Sequence, residues 1–239
     1  MIAIPDADDR VRDLWEALLE IAAEHPDGWT LVGAQMVFLH ALEHHADPPR
    51  MSVDLDVIID IRLVPRGIRK MVGTLERLGY EFDGANNAGI GHRFVRGTVK
   101  VDVLAPDHVG KRADVRTCAG ARTVRVPGGT QALRRSQQIG IRVGAREGNV
   151  PRPDLLGAIL IKARAVNIDD APQNQRQELC FLLTLVGDPV SMADQLVGRE
   201  RSWLRQRSEL LDGNHPAWLG IRNAEDGRLA LKILADLRS

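Results

Sequence analysis

Two aspartates, Asp54 and Asp56, lie two residues apart in an otherwise aliphatic run from Arg50 to Asp60. Read as one β-strand, the run turns Val53, Leu55, Val57 and Ile59 to one side and both carboxylates to the other. Side chains two apart on a strand are roughly 6–7 Å from each other. At that spacing two carboxylates can grip a divalent cation, or a pair of them, against a bound phosphate. Mg²⁺ takes one or two protein carboxylates and completes its shell with water and phosphate oxygens. The alternative is an ordinary strand with a solvent-facing polar side. Aspartate is a poor strand former, however, and departures from local propensity concentrate at functional sites. A third acidic residue in a similar setting, Asp102, lies between Val101 and Val103. Three strand carboxylates holding two Mg²⁺ ions fit phosphoryl or nucleotidyl transfer. One ion activates an attacking hydroxyl and the other steadies departing pyrophosphate.

Around these residues the pattern supplies the elements that must position them. Asp8 or Asp9 can cap a helix to about Glu24, with Val11, Leu14, Trp15, Leu18, Leu19 and Ala22 at helical spacing. Trp29–Val32 reads as a short strand, and a helix striped with Met36, Val37, Leu39 and Leu42 follows Gly33 directly. Glycine at such a turn lets backbone approach a ligand, and a helix N-terminus offers free N–H groups to phosphate; plain turn geometry is the other reading. His40 and His44 could share a face of that helix and bind a metal, or simply suit its C-terminal dipole. A helix is expected over Val64–Leu78, then strands around Tyr80–Phe82, His92–Arg96 and Val99–Leu104, with turns at Asn86-Asn87 and Gly97-Thr98. From Pro153 the pattern is helical: Asp154–Val166, Gln173–Val186, a helix opened by Asp188-Pro189, Glu200–Leu211 and Glu225–Leu237. The expected organisation is an α+β domain over 1–150 and a helical domain over 151–239, joined at Gly148–Pro153.

Composition excludes several classes. The chain has 239 residues, 44% hydrophobic and 27% charged, enough for real cores. Its net charge is zero, so no global field draws it to nucleic acid. The asymmetry is local. Residues 110–152 carry Lys111, Arg112, Arg116, Arg122, Arg125, Arg134, Arg135, Arg142, Arg146 and Arg152 against only Asp114 and Glu147. That is the footprint of a polyanion or a solvated surface. Two distant cysteines, Cys118 and Cys180, fit a reduced cytoplasmic compartment and no cysteine-built zinc site. The acidic first ten residues read as no signal peptide, and no apolar run is long enough to span a membrane.

Taken together, the strand–Gly33–helix turn, Asp54-x-Asp56 and the later Asp102 resemble the polymerase-β-like nucleotidyltransferase superfamily, whose signature is a Gly-Gly or Gly-Ser turn, Asp-x-Asp or Asp-x-Glu, and a later third carboxylate. More narrowly, the chain resembles the AbiEii/AbiGii family of MenT-type nucleotidyltransferase toxins. That likeness is carried by Leu31-Val32-Gly33, by Arg50-Met51-Ser52-Val53-Asp54-Leu55-Asp56, by Val101-Asp102-Val103 and by the helix Leu155–Lys162. It spans residues from about 29 to 186.

The resemblance implies a mixed-sheet core with flanking helices and a helical C-terminal half. It implies Mg²⁺-dependent transfer of a nucleotide from an NTP to RNA, the tRNA 3′ end in particular, blocking translation, with a cognate antitoxin protein. Asp54, Asp56 and Asp102 would ligate two metal ions, and Asp102 would also help deprotonate the acceptor. Gly33 would contact the triphosphate, Ser52 would bond a phosphate oxygen, Arg50 would orient the site, and Lys162 would neutralise phosphate. Two departures stand out. Ala34 replaces the usual second Gly or Ser, and Glu178, which would contact the nucleotide with a longer reach, stands where the family often has an aspartate. Two rival expectations remain: a small-molecule or protein hydroxyl as acceptor, as in the antibiotic-modifying branch of the superfamily, and a non-catalytic binding member.

Overall fold

The computed structural model describes residues 1–5, 9–110, 112–118, 120–167 and 171–236. Asp8, Lys111 and Leu237, which figure in the expectations above, lie outside the described residues.

After a short strand β1 (Ile2–Ala3), helix α1 (Asp9–Glu24) buries Leu14, Trp15, Leu18, Leu19, Ile21 and Ala22. Their spacing makes one apolar stripe. Strand β2 (Trp29–Val32) runs without a linker into α2 (Gly33–Glu43). Strand β3 (Asp54–Ile59) is shorter than the expected Arg50–Asp60. Val53 is 38% exposed, and Ser52 Oγ accepts the Asp54 N–H at 3.3 Å, which ends the ladder before it reaches Arg50. Leu55, Val57 and Ile59 are buried as the alternation requires, but Ile58 is buried too, because this half of the strand is covered on both faces.

Then come α3 (Gly67–Arg77), β4 (Glu81–Phe82), β5 (Arg93–Arg96), β6 (Val99–Pro106) and β7 (Arg125–Val126). The main sheet has the order β2-β3-β6-β5-β4, with β7 also pairing β6. β3 and β6 are parallel neighbours, while β2–β3 and β5–β6 are antiparallel.

The basic stretch holds more structure than its composition announces. After α4 (Gly129–Arg134), strands β8 (Ser136–Val143) and β9 (Arg146–Pro153) form a hairpin, and with β1 they make a second sheet of order β1-β8-β9. Gly148–Pro153, expected to be a join, is therefore strand. Pro151 and Pro153 would interrupt a central strand, but β9 is an edge strand, and a proline there forfeits no ladder donor.

The helical part comprises α5 (Leu155–Ala165), α6 (Pro172–Thr184), α7 (Pro189–Ala193), α8 (Glu200–Arg205) and α9 (Ala224–Ala235), with 3₁₀ turns at Ser208–Leu211 and Pro216–Trp218. Asp154 and Asp188 cap α5 and α7 by accepting first-turn N–H groups. The expected single helix over Glu200–Leu211 is broken after Arg205. α5 packs on α6, and α6 on α9. Buried side chains from Leu14 to Leu234 form one continuous apolar cluster, so sheet and helices share a core. The architecture is α+β: mixed sheets with flanking helices and a helical C-terminal part. No helix among the described residues is long and apolar enough to cross a membrane.

Candidate active site

Strand register builds the site. Parallel pairing of β3 with β6 sets Asp56 opposite Asp102, and antiparallel pairing of β2 with β3 sets Val32 opposite Asp56. Gly33 follows Val32 and lies on the Asp56 carboxylate. Its φ is +69°, a left-handed value that side chains disfavour, and a Cβ there would stand 1.9 Å from Asp56 Oδ2. Only glycine fits. α2 starts at this residue and no side chain caps it among the described residues, so its first-turn N–H groups are available to an anion. Ala34 is buried in that turn.

The helical part supplies the cation. Lys162 on α5 is almost fully buried, with Nζ 2.5 Å from Glu178 Oε2 on α6, and it donates to Gln175 Oε1 at 3.0 Å. Glu178 also accepts from Arg50 Nε at 2.7 Å. Glu178 is fully enclosed. The residue expected to contact the nucleotide is thus enclosed between Lys162 and Arg50. Arg50 is tied to α6 through that carboxylate. Ser52 is likewise committed to the backbone: its hydroxyl receives the Asp54 N–H, and its carbonyl receives Gln35 Nε2 at 2.6 Å.

Val32, Gly33, Asp56, His92, Asp102, Lys162 and Gln175 line an open cleft of about 370 Å³. Its other wall is apolar, made by Leu104, Val124, Val126, Ile161 and Ala165. Asp56 is the electrostatic centre. Burial, and next the charge of Asp102, push its pKa up to about 7; Lys162 opposes this, while Asp54 and Glu178 add to it. Asp54 Oδ1 is buried with no hydrogen-bond partner among the described residues. A crowded, under-compensated carboxylate and an orphaned buried oxygen are the donor set of a hard cation, so Asp54 and Asp56 fit a divalent metal.

Asp102 differs. Arg93 Nε and Nη2 donate to its Oδ1 and Oδ2 at 2.9 and 2.8 Å, and His92 Nε2 stands 3.8 Å from Oδ2. The oxygens of Asp54, Asp56 and Asp102 do not all come within 4.8 Å of one another. The three carboxylates share one sheet face, but the third is held by the protein's own arginine.

Arg93, His92, Gln175 and Gln35 were read from the sequence only as strand or helix residues. For Arg93 a signal existed: a two-residue hairpin turn at Gly97-Thr98 counts back from Arg96↔Val99 to Arg93↔Asp102. The other three are brought in by tertiary packing.

The remaining candidates resolve on charge. His40, Glu43 and His44 do present ligand atoms within 4.8 Å of one another. However, the fully buried Arg152 guanidinium contacts the His40 ring nitrogens and Glu43 Oε2. A metal there would sit against a buried cation. Burial, then Arg152, hold the His40 pKa well below its usual value. Arg152 is thus part of the interior rather than the basic surface. Arg116 pairs with Asp114, Arg135 with Glu200, and Arg146 with Glu16 and Glu20. Arg112, Arg122, Arg125, Arg134 and Arg142 are the exposed remainder among the described residues once Arg116 and Arg146 are set aside with their partners.

No protein-family model matches the chain, and no curated protein matches it. Among solved structures it is similar to the antibiotic-resistance factor ANT(2'')-Ia, known from a solution structure, at 14% identity and a TM-score of 0.48, over 87% of this chain and 98% of that one. A likeness of that size carries no conclusion about activity, which must rest on the side chains.

Proposed function

We propose that this chain is a divalent-cation-dependent nucleotidyltransferase that moves a nucleoside monophosphate from an NTP to an RNA hydroxyl, with the tRNA 3′ end first among acceptors. In this reading it is a cytoplasmic toxin of the AbiEii/AbiGii type, within the polymerase-β-like superfamily, encoded with an antitoxin. The elements through β9 form the nucleotidyltransferase unit, and the helical part from α5 onward, packed on the same core, lends Lys162. The observation that carries the reading is Asp56 wedged between Gly33 and Asp102, beside Asp54 and across a cleft from Lys162.

Asp54 and Asp56 would hold the cation, which supplies positive charge to the triphosphate when bound. Gly33 and the first turn of α2 offer N–H groups to phosphate oxygens. Lys162, fixed by Glu178 and Gln175, presents one ammonium to the same phosphates. The acceptor hydroxyl oxygen bonds to the α-phosphorus as the bond to the β-phosphate oxygen breaks. Pyrophosphate leaves with that electron pair, and the hydroxyl proton passes to a carboxylate oxygen of Asp102. The apolar wall Leu104–Val124–Val126–Ile161 gives the base a surface without hydrogen-bonding groups of its own side chains.

The test is transfer of label from each α-³²P NTP to total tRNA, with Asp54→Ala as control. Label on tRNA that the substitution abolishes is the expected result; an active Asp54→Ala protein would sink the assignment. One observation favours a second reading, a small-molecule hydroxyl as acceptor: Arg135, Arg146 and Arg152 of the basic stretch 110–152 are paired with carboxylates outside it. Label on a small hydroxylated compound and none on RNA would decide for it.

A further inference from the structure

We propose that Arg93 controls the third carboxylate: its guanidinium occupies Asp102 in the resting protein and must leave before Asp102 can ligate a divalent ion. This rests on the reading of Asp54 and Asp56 as the primary cation site. The hairpin register aims Arg93 at Asp102, and both fork N–H groups are engaged at 2.9 and 2.8 Å. This bidentate match makes the strongest kind of side-chain hydrogen bonding. Asp102 is only 6% exposed, so a counter-ion is required there whether or not metal is bound.

Arginine and a second metal ion compete for that role, since two cations on one carboxylate repel at short range. Arg93 is also able to leave, because its side chain is 37% exposed while Asp102 is enclosed. What would draw it off is an anion of the same fork-matching shape, a substrate phosphate. Arg93 is thus a positioning residue. It keeps the resting site at one metal ion and admits the second when phosphate arrives.

The experiment is calorimetric titration of Mn²⁺ into the full chain without nucleotide, comparing wild type with Arg93→Gln, Arg93→Lys, Asp56→Asn and the double variant Arg93→Gln/Asp102→Asn. The wild type is expected to bind one ion, Arg93→Gln two, and the double variant one again. Two ions on the wild type, or one on a folded Arg93→Gln protein, would overturn the inference and leave the primary site intact. Thermal melting reports whether Arg93→Gln folds. If it does not, Arg93→Lys, which keeps the charge but loses the fork, is expected to show a weak second site, and a profile like wild type would count against us. Absence of Mn²⁺ binding by the wild type, or binding unchanged in Asp56→Asn, would instead bring down the primary cation site and this inference with it.

Discussion

Replacing Asp56 with Asn should stabilise the metal-free protein while abolishing transfer. The Asp56 pKa stands at about 7 in the folded protein against an ordinary value of 3.8. Between those two pH values the folded state carries a proton that the unfolded state has released. Stability therefore falls as pH rises through the window, and stays low above it. Each pKa unit corresponds to about 1.4 kcal/mol, so the shift is worth at most about 4 kcal/mol above pH 7. Solvent reaching the open cleft lowers that, and roughly 2–4 kcal/mol is expected. Asparagine has no charge to repel Asp102 and Asp54 and does not contribute this dependence. Urea denaturation in EDTA across pH 4 to 8.5 measures the difference between the two proteins. The curves should approach each other near pH 4 and separate above pH 7, with the variant more stable. Mg²⁺ added at pH 8 should stabilise the wild type selectively. A difference that stays flat with pH, or a variant that is less stable at pH 8, would refute the electrostatic account of the site.

Gly33→Ala should cut transfer by about a hundredfold, since its Cβ must displace the Asp56 carboxylate and misplacement of about 1 Å costs that much; the left-handed backbone adds about 1–2 kcal/mol of destabilisation, read by thermal melting. Glu178→Gln should destabilise by about 3–5 kcal/mol in urea, because it leaves Lys162 buried beside a neutral partner, and Glu178→Met with Lys162→Met should recover most of that loss. Charge reversal at exposed Arg125 and Arg134 should raise the KM for RNA and flatten its salt dependence, with kcat little changed, if RNA is the acceptor. Arg135 is unsuitable for that test, because its partner is the buried Glu200.

What the sequence determined by itself was local. Apolar periodicity placed β2, α2, β3, α5 and α6 to within a few residues, and the glycine turn and Asp54-x-Asp56 could be read directly, because each depends on neighbours within one strand or turn. The spacing also brought out Asp102, since a charge set between valines on a strand violates propensity. Tertiary structure decided the rest, for reasons of pairing and burial. Whether Asp102 meets a metal or an arginine depends on which residue stands across the β5–β6 ladder. Whether Glu178 meets a nucleotide or a lysine depends on how α6 packs against α5. The β8–β9 hairpin stayed hidden because prolines that break a central strand are harmless on an edge. The arginines of 110–152 looked like one surface because composition records charge and not partners; the fold drew Arg152 into the interior and spent others on carboxylates distant in sequence.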